Sequence, residues 1–442
     1  MYKLVSNLIL YSNIGSDSIL SELCSIYRDY DKLKANENAT DIEKSELSSR
    51  VFAQIKRILD LSTDFGFDKN LWHCYLTFFI ISNVNSFSVT CEGNGATEGG
   101  SVNIFARNDF KIFKQLFDFD FHPIEADLGI NCFGILENYT AIAKQAKLYD
   151  KTVSEIVRNL SQRLAGSKDE NEFFDLISGH YRHYGVGMFG LNRAFRIKGT
   201  GDSLEFIPIN NPDSIRLDDL VGYERQKEEL KAATGSFCAG AKGNNVLLYG
   251  DPGTGKSSSI KAILNEYFDQ GLRMIEIYKH QFCDLANVIA KIKKRNYKFI
   301  IYIDDLSFEE NEVEYKFLKA IIEGGVENRP DNILIYATSN RRHLVKETWK
   351  DRNDMEFNGD VHQSETMSEK LSLSSRFGVM IGYLNPNKQE FDNIVLELAA
   401  RSGIEMDQDR LLAEANKWEL RHGGFSGRTA QQFINYISGK TE

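Results

Sequence analysis

Apolar residues recur with different spacings along the chain and divide it into three regions. In residues 1–205 they repeat at helical spacing, as in "SILSELCSIYRDY" and "VFAQIKRILDL", which predicts a mainly helical N-terminal domain. Near the end of this region, "AFRIKGTGDSLEFIPI" predicts two short strands around a Gly turn. The stretch "NNPDS", residues 210–214, has the composition of a linker, and we place the linker at residues 206–213.

Residues 214–384 follow a different pattern, in which short apolar runs alternate with amphipathic helices. The runs are "NVLLYG", "RMIEIY", "KFIIYID" and "NILIYATSN". Such uninterrupted runs are typical of strands buried on both faces of a parallel sheet, and their alternation with helices predicts an α/β core. Residues 385–442 return to helical spacing and predict a C-terminal helical region.

Composition narrows the class of protein. The 442 residues are 42% hydrophobic and 26% charged, as in soluble globular proteins, and the formal net charge of -10 disfavours a protein that coats nucleic acid. The six cysteines are scattered, which is typical of reduced thiols. The longest apolar stretch, "LWHCYLTFFII", is too short to span a bilayer, and the first residues do not resemble a signal peptide. We therefore expect a cytoplasmic protein with no membrane partner.

A phosphate-binding loop is the strongest chemical signal. "GDPGTGKS" matches GxxxxGK[ST], lies between a predicted buried strand and an amphipathic helix, and brings backbone N–H groups, a lysine and a hydroxyl to one place. Lys256 is expected to reach the β- and γ-phosphates of ATP, and Ser257 to ligate Mg²⁺. The predicted nucleotide-binding residues here are Asp251, Pro252, Gly253, Thr254, Gly255, Lys256, Ser257 and Ser258.

Two acids follow the strand "FIIYI" at the edge of the sheet where ligands of parallel sheets bind. Asp304 is expected to hold Mg²⁺ through water, and Asp305 to orient or polarise the attacking water. In most ATPases built on this plan the second acid is Glu. A carboxylate displaced by about a bond length slows chemistry, so slow hydrolysis is one expectation. Glu309 and Glu310 are the alternative acids if the chain doubles back.

From about Asp218 to its end the chain resembles the AAA+ superfamily of ATPases. "LDDLVGYERQ" is similar to the segment that packs on adenine, with Val221 and Gly222 at the matching positions. Asn340 in "YATSNRR" matches the polar sensor of the lytic water, Arg376 in "LSLSSRFG" the arginine finger, and Arg428 in "GFSGRTAQQF" the second sensor. The sequences of these segments, and of "YGVGMFGLNRAFRI" upstream, resemble an uncharacterised prokaryotic ATP-binding family known as domain of unknown function 815. Asp as the second acid looks typical of that family.

The resemblance implies an α/β P-loop NTPase core at 214–384, a C-terminal helical lid at 385–442, and ATP with Mg²⁺ as ligands. It implies a homo-oligomer, such as a ring or hexamer, because an arginine finger acts on the neighbouring subunit. It also implies that residues 1–205 choose an unknown protein partner. The acidic segment between Lys346 and Glu369 is expected to cross the subunit boundary beside Arg376.

Three functions remain open from the sequence. The first is an ATPase that remodels a protein or protein complex. The second is a nucleotide-gated switch with slow hydrolysis that acts on DNA like an initiator or loader, supported only by the basic cluster "KIKKRNYK". The third, a small-molecule kinase, leaves Arg376 and Arg428 without a purpose. Tyr278 and Phe282 occupy the position where ATPases that thread proteins through a central pore carry an aromatic residue, but we expect both to pack in the core. His180 and His183 are expected on a helix surface.

Overall fold

The computed structural model describes residues 1–36, 40–96, 100–141, 151–309, 312, 314–323, 330–342, 344 and 373–439. The chain divides into two compact units, Met1–Asn192 and Arg193–Glu442, which are described separately below. The acidic segment 346–369 and Glu310 lie outside the described residues.

The regular elements in the described residues of the first unit are all helices, which confirms the mainly helical prediction. They are α1 (Tyr2–Val5), α2 (Ile19–Ala35), α3 (Asp41–Phe65), α4 (Leu71–Ser82), α5 (Ser86–Asn94), α6 (Ser101–Phe117), α7 (His122–Leu128), α8 (Phe133–Glu137), α9 (Lys151–Ala165), α10 (Glu170–His183) and α11 (Gly187–Leu191).

Side-chain caps explain where several of these helices begin. Thr40 and Glu43 form a reciprocal capping box at α3, and Asn70 accepts the N–H of His73 at α4. These caps satisfy N–H groups of the first turn that have no partner within the helix. Helix α4 contains the long apolar stretch, and most of its residues are buried. Among the described residues no single helix is long and apolar enough to cross a membrane, and α4 with residues 86–93 would pass that test only as a pair bent by 75°.

The described residues of the second unit form a seven-stranded sheet in the order β2-β1-β4-β5-β6-β3-β7. Its strands are β1 (Ala194–Lys198), β2 (Glu205–Pro208), β3 (Val246–Gly250), β4 (Leu272–Glu276), β5 (Lys298–Ile303), β6 (Ile333–Ser339) and β7 (Val379–Tyr383). All neighbours pair in parallel except β1 and β2, which form an antiparallel hairpin. The four predicted strands are confirmed, and β7 is a strand that the apolar runs did not indicate.

The hairpin corrects the expected domain boundary. Its two strands are predicted from the sequence, but as the end of an N-terminal domain at residue 205, followed by a linker at 206–213. In the structure β1 pairs with β4, so the hairpin belongs to the sheet of the second unit, and residues 205–208 form a strand. The hairpin joins the second unit because of a tertiary contact: without β1, the edge of β4 would have no hydrogen-bonding partner.

Residues 373–375 are helical, and seven helices with both ends among the described residues surround or follow the sheet of the second unit. They are α12 (Glu224–Cys238), α13 (Lys256–Tyr267), α14 (Leu285–Ile292), α15 (Glu314–Glu323), α16 (Lys388–Arg401), α17 (Gln408–His422) and α18 (Gly427–Ser438), with short 3-10 turns at Gly201–Ser203, Leu217–Asp219, Phe268–Gln270 and Lys279–Asp284. Helices α16 to α18 share their own apolar cluster, which includes Phe391, Val395 and Phe433. The predicted C-terminal helical region is therefore confirmed.

Candidate active site

The phosphate loop joins the end of β3 to the first turn of α13. Its backbone needs glycine at two positions for different reasons. A Cβ at Gly250, where φ is 135°, would collide with the Tyr383 carbonyl of β7. At Gly253, where φ is 79°, a Cβ would lie 3.1 Å from both Arg428 Cβ and Ser426 Oγ. The loop can therefore stay close to both the sheet and the C-terminal helices, and it leads into the first turn of α13, where backbone N–H groups have no partner within the helix.

Lys256 is buried at the start of α13. Its Nζ donates to the carbonyl oxygens of Gly250 (2.9 Å) and Asp251 (2.6 Å) and to Asn340 Oδ1 (3.1 Å). Burial lowers the pKa of Lys256, and the surrounding aspartates, Asp251 first, act in the opposite direction. The ammonium group thus points into the site and is held by neutral oxygens of two carbonyls and one amide.

Asp304 follows β5 directly and faces the phosphate loop. Its Oδ1 accepts hydrogen bonds from Ser257 Oγ (2.8 Å) and Thr338 Oγ1 (2.5 Å). The surrounding protein atoms remove water from Asp304, which by itself would raise its pKa, but hydrogen bonds from Thr338 and other nearby hydroxyl groups outweigh this effect and lower the pKa. The carboxylate therefore stays ionised at neutral pH, beside a hydroxyl that the sequence also assigns to Mg²⁺.

Asp305 has a left-handed backbone, with φ at 49°. Its N–H donates to Thr338 Oγ1 (2.9 Å), and its Oδ1 accepts from Asn340 Nδ2 (2.8 Å). The Asn340 side chain therefore connects Lys256 to Asp305: its oxygen accepts from Lys256, and its nitrogen donates to Asp305.

A cavity of about 640 Å³ opens above these residues. It is lined by the loop from Pro252 to Ser258 and by Val221, Asp304, Asp305, Asn340 and Arg428, as the sequence motifs group them. Their individual roles remain predictions.

Three predicted site residues do not line this cavity. Gly222, with φ at 81°, lies between the lining residues Val221 and Tyr223. Asp251 turns its carboxylate to the N–H of Asn385 at 2.7 Å. Arg376 lies half-buried just before β7, outside the cavity of its own chain.

The C-terminal helices contribute one wall of the cavity. The N–H of Arg428 donates to the Gly253 carbonyl at 3.0 Å, and Ser426 caps α18 by accepting the N–H of Thr429 at 3.1 Å. Val221 packs on the apolar cluster of α16 to α18, whereas its neighbour Leu220 packs on the core beside the sheet. The segment expected to cover adenine therefore contacts both the core and the lid.

Several lining residues are not evident from the sequence motifs, and the most informative is Thr338. The pairing of Ile303 with Ala337 puts Thr338 next to Asp304, so a β5–β6 register would have revealed it. Gln432 lies one helical turn after Arg428, and Lys227 donates to the Leu220 carbonyl from α12. Helical spacing from Arg428 is a usable signal for Gln432, whereas Lys227 looks like an ordinary surface lysine in the sequence.

Other candidates lie away from the cavity. Glu309, the alternative acid, does not line it. Phe282 is buried, as expected, but Tyr278 is 42% exposed, which corrects the expectation that both are core residues. In the basic cluster, Lys291 donates to the Leu204 carbonyl and Lys298 to the Asp331 carbonyl. Two of its cations therefore make contacts within the protein.

The histidine pair also differs from expectation. His183 is exposed, but His180 is buried in the first unit, so only one of them lies on the helix surface. No cluster of three or more His, Cys, Asp or Glu residues suited to a metal ion occurs in the described part of the chain.

Comparison with known proteins gives one family match and several more distant relatives. Residues 191–441, more than half of the chain, match the family described as "Protein of unknown function (DUF815)". The Holliday junction branch migration complex subunit RuvB of Campylobacter hominis is 29% identical over 205 residues, which are 42% of this chain and 55% of that protein. The ATP-dependent zinc metalloprotease FtsH of Helicobacter felis is 28% identical over 37% of this chain and 28% of its own.

Vacuolar protein sorting-associated protein 4 of Dictyostelium discoideum is 28% identical over 32% of this chain and 37% of its own. The chain thus spans about half the length, or less, of these curated relatives. Among solved structures, the RuvB branch migration motor of Thermotoga maritima matches 50% of this chain and 72% of its own at 15% identity, with a TM-score of 0.31.

Proposed function

This chain belongs to the AAA+ superfamily and, within it, to the family described as "Protein of unknown function (DUF815)", and on that premise we propose that it hydrolyses ATP to remodel a protein or protein complex. The observation that carries the proposal is the continuous polar chain Lys256–Asn340–Asp305 at the phosphate loop. It holds a cation where the phosphates would bind and a carboxylate where the attacking water would stand.

The protein's own groups have separate tasks in this mechanism. The backbone N–H groups of the loop and the Lys256 ammonium bind and orient the phosphates. Asp305 accepts the proton of the attacking water, and Asn340 holds the Asp305 carboxylate in place at 2.8 Å. Segment 219–223 and the lid helices cover the nucleotide and exclude water from it.

The residues also fit Mg²⁺. Ser257 and Asp304 present a hydroxyl and an ionised carboxylate 2.8 Å apart, and hard oxygen donors of this kind suit the ion. When bound with ATP, Mg²⁺ would neutralise charge that develops on the phosphate oxygens.

Arg376 is proposed to act on a neighbouring subunit. It does not line the cavity of its own chain, and a planar, permanently charged guanidinium suits the charge spread over the γ-phosphate oxygens. The active form would then be a homo-oligomer, with the helical unit Met1–Asn192 as the part that binds a protein partner.

The test is Mg²⁺-dependent ATP hydrolysis over a series of protein concentrations, with Asp305→Asn and Arg376→Ala beside the wild type. We expect turnover per chain to rise with concentration, and to fall about a hundredfold or more in both variants. Mixing Arg376→Ala chains with an excess of Asp305→Asn chains should partly restore turnover, because each variant supplies what the other lacks.

Asp331→Asn and Arg410→Ala are matched controls, since both residues are exposed and lie outside the cavity. Turnover that does not depend on concentration and survives Arg376→Ala would contradict the trans arginine. Tight ATP binding without wild-type turnover would contradict the ATPase and support a nucleotide-gated switch.

DNA binding is tested separately, because the name of the RuvB relative refers to Holliday junction branch migration. We expect no retention on single-stranded DNA at moderate salt, given the net charge of -10 and the internal contacts of Lys291 and Lys298. Salt-sensitive retention that increases with ATP would favour the initiator-like alternative.

A further inference from the structure

One residue, Thr338 on β6, contacts three consecutive residues at the end of β5. Its hydroxyl donates to Asp304 Oδ1 at 2.5 Å and accepts the N–H of Asp305 at 2.9 Å. Its backbone carbonyl accepts the N–H of Leu306 at 2.7 Å. Thr338 therefore contacts the side chain of the first acid and the backbone on both sides of the second acid's α-carbon.

These contacts are shielded from bulk water. Thr338 is 2% exposed, so bulk water competes weakly for its hydroxyl. The β5–β6 register, which pairs Ile303 with Ala337, places the side chain at the point where β5 ends. The chain leaves the strand there through the left-handed backbone of Asp305, whose N–H is satisfied by Thr338 Oγ1.

The hydroxyl group is the part of Thr338 that matters chemically. A valine in its place would keep the shape and the backbone bond to Leu306, but it would leave the Asp305 N–H without this acceptor and Asp304 without this donor. Partners that orient metal-binding carboxylates in this way commonly contribute 10- to 100-fold, roughly, to metal affinity or activity.

We propose that Thr338 is a positioning residue for ATP hydrolysis, which acts by fixing Asp304 and Asp305 relative to each other through one hydroxyl group. The inference rests on the proposed function of this site. It assigns Thr338 no contact with the reacting atoms.

The test compares Thr338→Val and Thr338→Ser in the full chain. Thr234→Val is the matched control, because Thr234 is also buried and its hydroxyl also makes two hydrogen bonds, to the Leu230 carbonyl and the Tyr336 hydroxyl, both 2.9 Å long and outside the cavity. The measurements are kcat, KM for ATP, the Mg²⁺ concentration for half-maximal turnover, and the Kd of a fluorescent ATP analogue with EDTA and with Mg²⁺.

We expect Thr338→Val to lower kcat about 10- to 100-fold and to raise the half-saturating Mg²⁺ concentration. The Kd in EDTA should stay within about twofold, since Lys256 and the loop are untouched and nucleotide binding without the ion does not use the acids. Thr338→Ser should recover most of both losses, because it keeps the hydroxyl. Thr234→Val should match the wild type in every one of these measurements.

Equal kcat and equal Mg²⁺ dependence in Thr338→Val and Thr234→Val would overturn the inference while leaving the ATPase proposal intact. If the wild type binds ATP but does not turn it over, the ATPase proposal fails. The role of Thr338 is then tested by the increase in affinity for the analogue that Mg²⁺ causes, and an equal increase in Thr338→Val and Thr234→Val would overturn the inference. If Thr338→Val does not fold, Thr338→Ala takes its place against Thr338→Ser, and equal values in those two variants would overturn the inference.

Discussion

The shortened second acid is explained at the scale of a single residue. Asp305 has φ at 49°, a region that Asp and Asn adopt more readily than other residues with a side chain. Its carboxylate also meets Asn340 at 2.8 Å from this backbone. A short acid therefore suits both the local conformation and the reach required, so Asp305 need not be a damaged version of a longer acid.

This explanation predicts that Asp305→Glu slows hydrolysis. The left-handed backbone would cost about 1 kcal/mol more for Glu than for Asp, and the extra methylene would carry the carboxylate past Asn340. We expect kcat to fall about tenfold or more, and the free energy of unfolding to fall slightly. Steady-state kinetics and thermal unfolding measure the two effects.

Asp331→Glu, at an exposed position outside the cavity, is the control for the added methylene. Turnover by Asp305→Glu equal to or above that of the wild type would show that the backbone does not select the shorter acid.

At the scale of one element, helix α10 carries a buried histidine. Burial lowers the pKa of His180 to about 3, and the neighbouring charges of His183 and Arg163 act in the same direction. Its ring lies against Tyr184, with centroids 5.1 Å apart, and it is 6% exposed. The helix is therefore compatible with neutral His180 and opposes its protonation.

Acid should consequently destabilise the N-terminal unit. The unfolded chain protonates this histidine near pH 6.5, and the folded chain only near pH 3. Between these values the unfolded state binds more protons, so the free energy of unfolding falls as pH decreases, by up to about 1.4 kcal/mol per pH unit. Urea unfolding at several pH values between 7 and 5, followed by a signal of the N-terminal unit, measures the slope.

His180→Gln should remove this part of the pH dependence, whereas His183→Gln should keep it, because His183 is exposed on the same helix. Identical slopes for the two variants would rule out His180 as the source.

At the scale of the whole molecule, the boundary between the two units falls before β1 and not after β2. The hairpin extends the parallel sheet by pairing with β4, and it buries Phe195 completely. A sheet edge without this partner would expose a row of unpaired backbone groups and apolar side chains.

Two fragments test this boundary. The fragment 193–442 should be monodisperse at low concentration, unfold cooperatively and bind an ATP analogue like the full chain, because it keeps the complete sheet. The fragment 210–442 lacks the hairpin and should aggregate, or melt about 5–10 °C lower. Light scattering and calorimetry distinguish them, and equal behaviour of the two fragments would mean that the hairpin is dispensable for the second unit.

The elements and most members of the candidate site can be predicted from the amino-acid sequence. Helical and strand periodicities are local, and so is the phosphate loop with its flanking strand and helix. Parallel strands also place their carboxyl ends at one edge, which is why the strand pattern groups Asp304 and Asp305 beside the phosphate loop, whereas Asn340 is added by the resemblance to the AAA+ superfamily.

Features that depend on contacts between distant segments became visible only in the folded chain. The register between β5 and β6 places Thr338 beside Asp304, and the hairpin joins the sheet because β1 pairs with the edge of β4. Packing buries His180 and leaves His183 exposed. A sequence pattern records which residues prefer to be buried or extended. It does not record which partner each one meets, because that choice is made by the free energy of the whole packed unit.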